Sequence, residues 1–157
     1  MFDHAPPGYV CPFCLLVEGA FGDARLQTRE ADVVLRSADA IAIVSPHWWP
    51  NNPGHVLVCP YRHVPLYVDL TEDETAEFTA LTKAAVRALE AASAPMGFNL
   101  GMNQGAVAGA GVAAHLHQHV VPRWGGDTNF MPVVGGTKVM PALLHQTRDL
   151  LREHWPS

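Results

Sequence analysis

The stretch His115-Leu116-His117-Gln118-His119-Val120-Val121 constrains this chain more than any other. Alternate side chains of a strand share a face. A strand here therefore carries His115, His117 and His119 on one side, with Leu116, Gln118 and Val120 on the other. Three imidazoles in a row make poor packing material, because buried polar groups need partners. The residues leave three readings open: a solvated strand, a metal site, or a nucleophile–base set. The preceding loop, Gly105-Ala106-Val107-Ala108-Gly109-Ala110-Gly111, is built of small residues. Such a loop lets backbone N–H groups approach an anion closely. Beside three histidines it points to phosphate next to imidazole.

Composition narrows the setting. The chain has 157 residues, with 10 Lys and Arg against 15 Asp and Glu, a formal charge of −5. That length suits one domain with one core, taken as residues 1–157. A net negative charge argues against nucleic acid or an anionic membrane as partner. No apolar run approaches the roughly 20 residues that span a bilayer. Met1-Phe2-Asp3-His4 does not read as a signal peptide, so a cytoplasmic protein is expected. Three cysteines do not make a disulfide framework. Nine histidines are the feature to follow, since imidazole is a ligand, proton carrier and nucleophile near neutral pH.

The periodicities predict an α+β fold. Strands are expected over Asp32–Arg36, Ala40–Val44, His55–Cys59, Phe98–Met102 and His115–Val121, the last closed by Pro122. A helical turn is expected after Cys11. The main helix opens at Thr71, with Glu74 completing a capping-box pattern. Phe78, Leu81, Ala85, Ala88, Leu89 and Ala92 form its apolar face, and Pro95 and Gly97 end it. A second main helix is expected from near Pro141. About five strands, mostly grouped, favour a mainly antiparallel sheet over a doubly wound one.

Cys11-Pro12-Phe13-Cys14 is a Cys-x-x-Cys pair. A redox pair needs a thioredoxin-like βαβ context, and no strand precedes it. A zinc site needs two more ligands. An empty reduced pair is the third reading. Cys59, in an apolar strand, reads as a small hydrophobe. Arg123 and Trp124 follow the histidine strand; Arg123 suits either a phosphate or a carboxylate. Trp48-Trp49 reads as a wall against a base or as a packed loop. Lys138 in Gly-Gly-Thr-Lys lacks P-loop spacing. His4, His145 and His154 read as surface residues.

His-Leu-His-Gln-His-Val-Val resembles the His-x-His-x-His-x-x motif of the histidine triad superfamily of nucleotide hydrolases and transferases. Asn52-Pro53-Gly54-His55-Val56-Leu57-Val58 resembles that family's Pro-Gly-His strand. The segment from Val121 through Gly126-Asp127-Thr128-Asn129-Phe130 to Gly135-Gly136-Thr137-Lys138 resembles the branch of dinucleoside polyphosphate hydrolases and diadenosine tetraphosphate phosphorylases. The likeness runs from about residue 11 to 152.

The resemblance implies a HIT-like fold and a homodimer whose two sheets join into one. It implies catalysis by the triad His115, His117 and His119. His117 would attack the α-phosphorus of a nucleoside polyphosphate or diadenosine polyphosphate to form a covalent nucleotidyl-histidine. His119 would contact phosphate or the leaving group. His55, Gln104, His47, Gly111 and Arg123 would bind substrate. The resemblance also implies structural zinc on Cys11, Cys14, His63 and His115. Alternatives within the same frame are a nucleoside phosphoramidate hydrolase and a nucleotide-binding module with little turnover. Two departures bear on substrate choice. His47 stands where relatives carry Asn or Asp for the ribose, and Gly111-Val112-Ala113-Ala114 offers no hydroxyl or amide side chain before the triad.

Overall fold

A computed structural model describes residues 10–20, 33–44, 53–127 and 144–156. In chain order the regular elements are α1 (Pro12–Glu18), β1 (Val33–Arg36), β2 (Ala40–Val44), β3 (Val56–Pro60), α2 (Glu72–Ser93), β4 (Gly97–Gly101), β5 (Gln118–Arg123) and α3 (Leu144–Glu153). Short 3-10 turns occupy Tyr67–Asp69 and Ala106–Ala108. The five strands form one antiparallel sheet in the order β1-β2-β3-β5-β4. The expected grouping of strands into an antiparallel sheet is met. The helical turn after Cys11 is α1. Pro141 lies outside the described residues.

Strand alternation builds two apolar layers. Ala40, Ala42, Val56, Val58 and Val120 face α2 and α3, where they meet Phe78, Leu81, Ala85, Ala88, Leu89 and Leu151. Ile41, Ile43, Leu57 and Cys59 face the other way, toward Phe13, Leu15 and Leu16 of α1. The helix face read from the sequence is the face that packs, with Ala92 at its half-buried end. Truncating a fully enclosed residue such as Phe78 to Ala typically costs about 3–5 kcal/mol.

Local signals set the ends of α2. Thr71 Oγ1 accepts from Glu74 N–H at 3.2 Å, and Glu74 Oε2 accepts from Thr71 N–H at 2.8 Å. Two orphan donors of the first turn are thus satisfied reciprocally. The helix closes at Ala94, in the left-handed region at φ 44°, just before Pro95. Gly54 is the other position with a backbone demand. Its φ is +82°, and a Cβ there would stand 2.8 Å from Leu89 Cδ2. Only glycine fits that turn into His55 without strain.

The histidine strand departs from its expected limits at both ends. Pairing with β3 runs only from Val56↔Val120 to Val58↔Gln118. In the same register Leu116 would lie opposite Pro60, which has no N–H to donate. His115 and Leu116 turn aside instead, and Leu116 N–H donates to Val64 O at 2.6 Å. At the other end the strand continues through Pro122, which pairs with Phe98 of β4. By then β3 has ended, so the missing donor interrupts no ladder on that side. Among the described residues no helix is long and apolar enough to cross a membrane.

Candidate active site and metal centre

Phe13 and His119 show where the triad points. The Phe13 ring lies 5.5 Å from that of His115 and 4.9 Å from that of His117, centroid to centroid. His117 and His119 follow at 5.1 Å. His115 and His117 therefore share the α1 side of the sheet with His119, although only His119 belongs to the strand. His115 is 1% exposed and His117 5%.

His117 is held in one tautomer. Its Nδ1 lies 2.9 Å from the backbone oxygen of His115. A carbonyl only accepts, so Nδ1 carries the hydrogen and Nε2 keeps its lone pair. Burial lowers the pKa of His117 below the ordinary histidine value, partly offset by that hydrogen bond. Burial and the neighbouring His117 lower His119 in the same way. Both rings are thus neutral at pH 7. His119 Nδ1 meets His55 Nε2 at 3.0 Å, and His55 is itself buried. The turn at Gly54 delivers His55 onto the same face as Leu57, which pairs with His119.

Beyond Phe13 the chemistry changes. Cys11, Cys14, His63 and His115 bring one donor atom each to within 4.8 Å of one another. Cys14 Sγ lies 3.0 Å from His63 Nδ1 and 3.6 Å from His115 Nδ1, and Cys11 Sγ lies 3.4 Å from His115 Nδ1. A tetrahedral ion with ordinary zinc–sulfur and zinc–nitrogen bonds has ligand–ligand edges of about 3.4–3.8 Å. His115 Nε2 donates to Pro60 O at 2.9 Å, which leaves the Nδ1 lone pair turned to the two thiols. This is the outer-shell bond that orients a ligating histidine. Burial, helped by the nearby histidines and opposed by the bond to Pro60, lowers His115 to about 4, so it stays an unprotonated metal donor. Without an ion, burial and the adjacent Cys11 push the Cys14 thiol up to about 12. Two thiols and two imidazole nitrogens fit a metal ion. The same Pro60 that ends the ladder supplies its outer-shell acceptor.

The remaining sequence candidates lie apart from this core. Gln104 Oε1 accepts from Tyr67 N–H at 2.8 Å. Gly111, itself exposed, opens a half-buried turn that runs directly into His115. Arg123 forks onto Asp127, with Nε 2.5 Å from Oδ2, and also reaches Asn99 Oδ1 at 2.5 Å. It takes the carboxylate of its two expected partners, about 13 Å along the strand from His119 at the usual rise. His47, His4, Trp48, Trp49 and Lys138 lie outside the described residues. His145 is exposed on α3, and just beyond that helix His154 Nδ1 donates to Leu150 O at 2.9 Å. Cys59 is fully buried in the apolar layer. Sequence reasoning overlooked Phe13 and Pro60. Phe13 stood in plain view between the two cysteines, whereas nothing local marks a backbone carbonyl as a ligand's partner.

The HIT domain profile matches residues 27–126. The chain belongs to the HIT-domain family. Among its relatives, an AP-4-A phosphorylase of Mycobacterium tuberculosis is 48% identical over 131 residues, covering 83% of this chain and 66% of that protein. The chain thus spans just under two thirds of that relative. A bifunctional bis(5'-adenosyl)-triphosphatase/adenylylsulfatase of Arabidopsis thaliana is 37% identical over 69% of this chain and 57% of its own length. Among solved structures, a Zn-bound histidine triad family protein from Mycobacterium smegmatis superposes with TM-score 0.69 at 26% identity, covering 92% of this chain and 91% of that one. The HIT fold expected from the motifs is therefore the fold observed.

Proposed function

We propose that this HIT domain is a nucleotide hydrolase or nucleotidyltransferase acting at the α-phosphate of nucleoside polyphosphates or diadenosine polyphosphates. The observation that carries the reading is the bond from His117 Nδ1 to the His115 carbonyl, which reserves Nε2 as a nucleophile. In the first displacement Nε2 forms a P–N bond while the bond from the α-phosphorus to its bridging oxygen breaks. His119, backed by His55, hydrogen-bonds the departing oxygen. In the second displacement water releases a nucleoside monophosphate, or inorganic phosphate releases a nucleoside diphosphate, and His117 is regenerated. Splitting one hard transfer into two is the advantage of covalent catalysis. The names of the phosphorylase and triphosphatase relatives support this substrate class.

The supporting residues follow. The amide N–H₂ of Gln104 and the backbone near Gly111 meet phosphate oxygens, His47 meets the ribose, and Arg123 binds substrate from the far end of β5. Cys11, Cys14, His63 and His115 hold a zinc ion, in keeping with a Zn-bound neighbour. Its closed Cys₂His₂ donor set is of the structural kind. The working form is a homodimer joined along β4 into one continuous sheet. It works in the cytoplasm, where thiols stay reduced.

The test is product analysis. The protein is incubated with diadenosine polyphosphates and with nucleoside phosphoramidates, with and without inorganic phosphate. His117→Ala should abolish monophosphate release while nucleotide binding persists. Turnover of phosphoramidates alone would instead make it a phosphoramidate hydrolase. Binding without turnover of any substrate would make it a binding module.

A further inference from the structure

Six rings run in a continuous series across the α1 side of the sheet. The centroid distances are 5.1 Å from His63 to His115, 5.5 Å from His115 to Phe13, and 4.9 Å from Phe13 to His117. His117 to His119 and His119 to His55 are both 5.1 Å. Phe13 is the one member that is not an imidazole. It stands where the metal donors end and the reacting histidines begin, and its neighbours at either side in the chain include Cys11 and Cys14. It is 8% exposed.

We propose that Phe13 is a positioning residue for His117, coupling the metal-held helix α1 to the orientation of the nucleophilic ring. The hydrogen bond to the His115 carbonyl selects which nitrogen of His117 carries the proton. One such bond does not by itself hold the plane of the ring, because the terminal torsion of histidine is broad and roughly two-fold. Packing must choose the plane. Two rings supply it: Phe13, inclined at 41° to His117, and His119, at 68° to it. Phe13 is placed in turn by α1, whose cysteines converge on His63 and His115. The same residue, His115, thus anchors His117 twice, through its carbonyl and through the Phe13 ring that leans on both imidazoles. A nucleophile must meet phosphorus with its lone pair in line, and a loss of about 1 Å in placement can cost about a hundredfold in rate.

The inference rests on His117 being the nucleophile, and the test separates the two. Phe13→Leu keeps an apolar side chain but removes the flat ring. Leu16→Ala is the control: Leu16 is on the same helix and in the same apolar layer, is 0% exposed, and is not a member of the ring series. For each full-length variant, bound zinc, kcat, KM and the ¹⁵N signals of the His117 imidazole are measured. Phe13→Leu should lower kcat about tenfold or more with KM within about twofold. Its His117 ring signals should shift or broaden while metal content stays that of the wild type. Leu16→Ala should lower stability while leaving kcat per folded molecule and the His117 signals unchanged. Wild-type kcat and unchanged His117 signals in Phe13→Leu would overturn the inference. Equal losses in both variants would reduce Phe13 to a core residue. If the wild type turns over no nucleotide, the functional reading fails, and the His117 spectrum still decides the role of Phe13.

Discussion

Residue by residue, the site works by assigning each imidazole nitrogen one task. His117 donates from Nδ1 to a carbonyl, so its free lone pair is on Nε2. His115 donates from Nε2 to Pro60, so its free lone pair is on Nδ1. Two histidines two positions apart thus leave opposite nitrogens free, that of His115 turned to two thiols. The thiol side is testable directly. Cys14 makes the shortest sulfur–imidazole contact of the cluster, 3.0 Å to His63. Cys14→Ser should lose stoichiometric zinc, read by elemental analysis of protein purified without added metal. It should also lower the melting temperature, because a metal that binds only the folded state stabilises it. Full zinc retention in that variant would remove Cys14 from the ligand set.

At the scale of elements, the start of α2 carries a pH-dependent lock. Glu74 accepts from Thr71 N–H and pairs with Arg62, whose Nη2 lies 2.6 Å from Oε2. The Arg62 bonds, then the Thr71 backbone bond, hold the Glu74 carboxyl at about 2, below its ordinary 4.5. A depressed folded-state pKa means that the unfolded chain takes up the proton first. The stabilisation is therefore complete above the unfolded value of 4.5 and is lost as pH falls from there toward 2. Arg62 is 47% exposed, which limits the ion-pair share. Glu74→Gln keeps an oxygen that can accept from Thr71 and removes only the charge, so it should cost less than about 1 kcal/mol at pH 7. The gap between variant and wild type should narrow at pH 3.5, measured by urea titration. A gap that widens on acidification would rule out the ionised carboxylate as its source.

On the scale of the whole molecule, β4 is the exposed edge of the sheet. Its outer ladder groups lack a strand partner among the described residues, while Leu100 is 52% and the adjoining Met96 80% exposed. An uncovered edge of that kind invites pairing with another strand. Joining two copies there would make one continuous sheet. Leu100→Glu, which sets like charges across such a junction, should shift the protein toward monomer in sedimentation measurements. An unchanged mass would place the interface elsewhere. The opposite edge is covered differently, with α3 held to β1 by Arg152 Nε donating to Val34 O at 3.3 Å.

Local physics made much of this legible in advance. The capping box at Thr71, the apolar stripe from Phe78 to Ala92, and the alternation through β2 and β3 depend on neighbours a few positions apart, so the chain alone determined them. The spacing of His115, His117 and His119 likewise pointed to one side, which His119 takes from within the strand and the other two reach from outside it. The partners that define their chemistry are remote: 104 positions separate Cys11 from His115, 64 separate His55 from His119, and 55 separate Pro60 from His115. Only the tertiary structure decided that His115 leaves the strand and that Phe13 stands between the cysteine–histidine cluster and His117. The reason is physical. Which nitrogen of an imidazole bears the proton, and in which plane the ring lies, depend on the carbonyl and the ring beside it, and those arrive only when distant segments pack.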